Sequence, residues 1–200
     1  MFIIGLCGGS GSGKGKVSEL FLSLGVPSID TDKVYHELCS YTSPCLCEIA
    51  SEFGEDIIDN GALSRKKLSK IVFSDRDKLA KLNKIAHKHI LAKTREMLAI
   101  YSNEGAEYAI VDAPLLFESG FDKECNFTLA VIADDETRAK RIMVRDGISY
   151  EDAKLRISKQ ISNSDLLLMC DYNIENNGDI DALSDEVERL FEIIKNKNER

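Results

Sequence analysis

Apolar and polar residues along this chain keep two rhythms in turn. Met1-Phe2-Ile3-Ile4 is a short apolar run that predicts a buried strand, and after it Val17, Leu20, Phe21 and Leu24 recur at helical spacing. Val26 to Asp32 is a second short apolar stretch, ending in two carboxylates. From Val34 to about Tyr101 the pattern is helical with few strand signals, and Asp59-Asn60-Gly61 marks a turn within it. Strand character returns at Tyr108–Phe117, bounded by Gly105 and Pro114, and at Asn126–Ala133, whose continuous apolar run suits burial on both faces. Helices are expected after Asp134 and from Ser149, a short strand at Asp171–Glu175, and a final helix from about Ile180 that buries Leu183, Val187, Leu190, Phe191 and Ile194. Strands alternating with helices predict an α/β fold with a parallel sheet.

Between the first strand and the first helix lies Gly5-Leu6-Cys7-Gly8-Gly9-Ser10-Gly11-Ser12-Gly13-Lys14-Gly15-Lys16. Gly8-x-x-x-x-Gly13-Lys14 is the phosphate-binding P-loop pattern, in the expected strand–loop–helix context that would confirm it. Glycines allow the tight turn that points successive N–H groups at one place, and the helix start adds its own partial positive charge. Lys14 would reach the outer phosphates. The position after Gly-Lys ordinarily supplies a hydroxyl to magnesium, but Gly15 has no side chain to do so.

Three acids fall where strands of a parallel sheet end, the edge at which ligands collect. Asp30 and Asp32 point the same way from an extended segment. Each suits a base, a magnesium-associated acid or a helix cap, and Asp32 is the preferred catalytic candidate. Asp112 ends the Tyr108 strand as a Walker-B-like acid. Arg138, Arg141 and Arg145 follow at i, i+3 and i+7 on one helix face. Beside a P-loop such a row suits phosphate, and two helices joined by a short turn suit a movable lid.

Composition narrows the function classes. Two hundred residues, 44% hydrophobic, suit one domain with a small appended subdomain. The balance of 26 basic against 34 acidic residues argues against general nucleic-acid binding, while leaving an anionic small substrate open. Apolar runs fall well short of the ~20 residues that span a bilayer, and no basic-then-apolar leader precedes the first strand. A cytoplasmic protein without membrane or nucleic-acid partners is expected, monomeric or a weak homo-oligomer. Six scattered cysteines read as reduced thiols, and neither Cys45-x-Cys47 nor His87-Lys88-His89 completes a metal site.

Several separated motifs occur in order from Ile3 to about Leu183. They are the glycine loop, Ile29-Asp30-Thr31-Asp32, Asn60-Gly61-Ala62-Leu63-Ser64-Arg65, Val72-Phe73, Val111-Asp112-Ala113-Pro114-Leu115-Leu116-Phe117-Glu118, Arg141-Ile142-Met143-Val144-Arg145-Asp146 and Asn176-Asn177-Gly178. Together they resemble the dephospho-coenzyme A kinase family. The resemblance implies a P-loop NTPase-like parallel sheet flanked by helices, with a helical substrate-binding insertion and a helical lid. A single kinase domain, 1–200, would divide into a core (about 1–33, 105–137 and 161–200), a substrate subdomain (about 34–104) and a lid (about 138–160). The implied activity is phosphorylation of the ribose 3′-hydroxyl of dephospho-coenzyme A by ATP with Mg²⁺.

By position, the resemblance makes Asp32 the base and a magnesium-associated acid, with Lys14 and Arg141 also catalytic. Gly9, Ser10, Gly11, Ser12, Gly13, Lys14, Gly15, Lys16, Arg145, Asn177 and Gly178 would contact the nucleotide. Asp32, Arg65, His87, Asp112 and Leu115 would contact the substrate. The chain departs from the family pattern in two places: Gly15-Lys16 stands for Ser-Thr, and His87-Lys88 for His-Pro. A weakened nucleotide- or coenzyme-A-binding protein, and a P-loop kinase for another small hydroxyl compound, are the alternatives.

Overall fold

The apolar runs become strands of one sheet. A computed structural model describes residues 1–40, 43–73 and 75–198. Its strands are β1 (Phe2–Cys7), β2 (Ser28–Asp30), β5 (Tyr108–Asp112), β6 (Phe127–Ile132) and β7 (Tyr172–Glu175), in the order β2-β5-β1-β6-β7. The β1–β5, β1–β6 and β6–β7 pairs are parallel. All six residues of β6 are buried, as the unbroken apolar run requires of a strand covered on both faces. Leu6 of β1 stands opposite Asp112 of β5, so the glycine loop and that acid leave the sheet side by side at its carboxyl edge.

Two helices, α1 (Lys14–Ser23) and α9 (Ile180–Asn198), share a core with the sheet. Val17 and Phe21 of α1 meet Leu183, Val187, Leu190, Phe191 and Ile194 of α9, together with Ile4, Leu6, Ile110, Leu129 and Val131 from the strands. Phe191 lies edge-on to both Phe21 and Tyr108, at centroid distances of 5.9 and 5.2 Å. Such aromatic pairs contribute roughly 0.5–1.5 kcal/mol beyond their buried area.

The chain divides into two compact units: Met1–Ile29 with Tyr101–Arg200, and Asp30–Ile100. The second holds α2 (Thr31–Leu38), α3 (Pro44–Phe53), β3 (Ile58–Asp59), β4 (Ala62–Leu63), α4 (Arg65–Val72) and nearly all of α5 (Arg76–Asn103). Its core gathers Cys39, Cys45, Ile49, Ile57, Leu68, Val72 and Leu82. Within this mainly helical block the turn at Asn60-Gly61 joins β3 and β4, which pair antiparallel. Both turn residues have positive φ, 50° and 79°, the twist that joins hairpin strands in two residues. Strands this short leave no period-2 signature to read.

The first unit also holds α6 (Asp135–Asp146) and α7 (Tyr150–Ser158), followed by α8 (Asn163–Met169). Gly147, at φ 65°, ends α6, and the Ser149 hydroxyl accepts from Asp152 N–H to start α7. Ala139 and Ile142 pack against Ala153 and Ile157, giving the helix pair its own small core.

Candidate active site

The glycine loop is shaped by what lies against it. Ser12 N–H donates to the Gly9 carbonyl at 3.1 Å, and Gly13, in the left-handed region at φ 97°, is the residue from which α1 springs. Space is as limiting as conformation. A Cβ at Gly13 would lie 2.0 Å from Asn176 Nδ2, and one at Gly9 would lie 2.1 Å from Arg138 Nη2. At Gly15 the same added carbon meets nothing within 4 Å. Lys14 opens α1 and sets its Nζ 2.9 Å from Asp112 Oδ1, with both side chains largely shielded from solvent. The cation is thus fixed at the loop by an acid from the neighbouring strand.

The arginine row expected on one face divides three ways. Arg138 is 2% exposed and donates from Nε to the Ser10 carbonyl, from Nη1 to Asp135 and from Nη2 to Gln160 Oε1. Burial pulls its guanidinium below the ordinary value, and Asp135 opposes that shift. Arg141 approaches the loop carbonyls of Gly11 and Ser12, at 3.3 and 3.4 Å. Arg145 instead turns to Asp146, at 2.7 and 2.9 Å, and Arg156 of α7 pairs with the same carboxylate. Lys16 likewise pairs along the helix surface with Glu19, at 2.9 Å.

Asn176 is a site residue that sequence reasoning missed. It is 6% exposed, and its Nδ2 donates to the Ser12 carbonyl at 2.8 Å. Asn177 accepts from Asp134 N–H at 2.9 Å, and Gly178 follows at the turn after β7. The Asn-Asn doublet was the available signal, but which of the two faces the loop depends on how β7 lies beside β6. Leu115, in the turn after β5, is half exposed.

In the Asp30–Ile100 unit, Asp30 is the cap of α2, its Oδ1 accepting from Asp32 N–H at 3.0 Å and Lys33 N–H at 3.1 Å. Asp32 is exposed in the first turn of α2 and lines a cavity of about 700 Å³ with His36, Arg65, Leu68, Val72 and Phe73. Arg65 Nη2 lies 3.1 Å from His36 Nδ1. Phe73 is 77% exposed, leaving a large apolar surface in the cavity that Arg65 and His36 also line. His87 sits half-buried on α5 and is not among the cavity-lining residues. Among the described residues, no group of three or more His, Cys, Asp or Glu could hold a metal ion.

The chain matches the dephospho-CoA kinase family over residues 2–182. A dephospho-CoA kinase of Fusobacterium nucleatum is 40% identical over 97% of this chain and 99% of its own length. One from Syntrophotalea carbinolica is 35% identical over 96% and 91%. Among solved structures, a Thermus thermophilus protein superposes with a TM-score of 0.79 at 30% identity, covering 98% of this chain and 97% of its own. The dephospho-CoA kinase of Campylobacter jejuni gives 0.71 at 29% identity, covering 98% of each.

Proposed function

The chain belongs to the dephospho-CoA kinase family, and from that premise we infer that it phosphorylates the ribose 3′-hydroxyl of dephospho-coenzyme A with ATP, giving coenzyme A and ADP. The observation that carries this reading is the glycine loop between β1 and α1 with Lys14 held at its exit. Loop N–H groups and Lys14 bind the β- and γ-phosphates, and Arg141 adds a cation at the loop as charge spreads over the transferring group. Asp32 takes the hydroxyl proton as the ribose oxygen bonds to the γ-phosphorus. The bond from that phosphorus to the bridging oxygen breaks, and its electrons leave with ADP. Asp32 is also the acid that would hold a magnesium ion, which would supply neutralising charge to the phosphates.

The Asp30–Ile100 unit is assigned to the substrate. Its cavity pairs the Arg65 cation with the apolar surfaces of Leu68, Val72 and Phe73, a combination suited to a molecule with phosphate and apolar parts. Helices α6 and α7 are assigned as the lid, and the protein as cytoplasmic. A second reading, a protein that binds nucleotide without transferring phosphate, draws on Gly15 and the hydroxyl it lacks. ADP release measured with ATP, magnesium and dephospho-coenzyme A separates the two. Turnover that Asp32→Asn abolishes supports the kinase; ATP binding without turnover supports the second reading.

A further inference from the structure

Ser10, at the apex of the glycine loop, has every polar group engaged by two side chains of the helical pair. Its carbonyl accepts from Arg138 Nε at 3.0 Å, its N–H donates to Gln160 Oε1 at 3.0 Å, and its hydroxyl accepts from Gln160 Nε2 at 3.2 Å. Arg138 Nη2 closes the circuit on Gln160 Oε1 at 2.8 Å. Arg138 stands on α6, and Gln160 lies two residues past the end of α7, the helix that shares a core with α6.

We propose that Arg138 and Gln160 are positioning residues that clasp Ser10 and hold the phosphate loop in its nucleotide-receiving shape. The proposal rests on the kinase reading and extends it to two residues with no role in that chemistry. A loop carrying Gly8, Gly9, Gly11 and Gly13 has wide backbone freedom, so ordering it around phosphates costs entropy unless neighbours fix it beforehand. Arg141 and Asn176 secure its second half at Gly11 and Ser12. The first half is secured at Ser10 by Arg138 and Gln160. Arg138 itself is closed to nucleotide: it is 2% exposed, with all three of its nitrogens engaged. Gly9 carries the same signature, since its hydrogen is what lets the guanidinium lie against the loop.

The test compares wild type with Gln160→Leu, Gln160→Glu and Arg138→Lys, using calorimetric ATP binding, separate KM values for both substrates, and thermal melting. Gln160 is exposed, so its variants keep the fold even if Arg138→Lys does not. Gln160→Leu is expected to weaken ATP binding and raise KM for ATP about tenfold, as for one lost charge-assisted hydrogen bond. KM for dephospho-coenzyme A and kcat stay unchanged. Gln160→Glu, which still accepts from Arg138 and Ser10, restores most of the affinity. Arg138→Lys, lacking the planar fork, does not restore it. A folded Gln160→Leu that binds ATP like wild type overturns the proposal, as does a lowered melting temperature with ATP affinity unaltered. Wild type that binds no ATP at all overturns the kinase reading itself, and the clasp's role with it.

Discussion

Lys14 Nζ lies 2.9 Å from Asp112 Oδ1, joining the first residue of α1 to the last residue of β5. The parallel register sets this pair, since Leu6 and Asp112 face each other where β1 ends and the loop begins. Asp112 thereby holds the Lys14 side chain at the exit of the glycine loop. Lys14→Met is expected to retain the fold and to lower kcat by roughly 10²–10³, the usual effect of deleting one preorganised charge-stabilising group. Steady-state kinetics with a circular-dichroism control checks this, and unaltered turnover would remove Lys14 from the mechanism.

Gly15→Ser tests the missing hydroxyl. An added Cβ there meets nothing within 4 Å, and Gly15 lies inside the first turn of α1, so serine fits without strain and replaces a poor helix former. The variant is expected to reach half-maximal activity at a lower magnesium concentration than wild type. A magnesium titration of initial rates decides the matter, and superimposable curves would show that Gly15 costs the enzyme nothing.

Phe191→Ala tests the core that carries the loop. The ring is 6% exposed and meets Phe21 of α1 and Tyr108 of β5 edge-on. Truncation is expected to cost about 3–5 kcal/mol of unfolding free energy, by the transfer and cavity terms together. Denaturant unfolding at constant slope is the measurement, and a loss below about 1 kcal/mol, the level typical of ordinary substitutions, would mean the site repacks.

What could be read from the residues followed from how local the signal was. The glycine loop, the all-buried β6 and the apolar face of α9 were legible because spacing alone specifies them. For the arginine row, i, i+3, i+7 spacing fixes a face without saying what each residue on that face meets. Arg138 meets the loop backbone, Arg141 the loop carbonyls, and Arg145 turns to Asp146. Asp30 was ambiguous because an acid at a helix start caps and catalyses from the same position; its two backbone hydrogen bonds make it the cap. Asn176 and Gln160 reach the loop across more than 140 residues of sequence, a distance that only the sheet order and the packing of α7 can close.

The α6–α7 junction carries its own titration. Asp146 receives Arg145 from its own helix and Arg156 from α7, and these cations hold its carboxyl down to about 2 from an ordinary 3.8. Since the folded value lies below the unfolded one, ionised Asp146 stabilises the folded state fully above about pH 3.8. That contribution is lost as pH falls through about 2. The carboxylate is solvent-exposed, so the contribution is small and screened by salt. The carboxyl carbon-13 resonance of Asp146 is therefore expected to stay at its ionised position well below pH 3.8, and Arg156→Gln to move its midpoint upward. A midpoint that ignores Arg156 would mean that Arg145 alone sets the charge, and that the carboxylate does not tie α7 to α6.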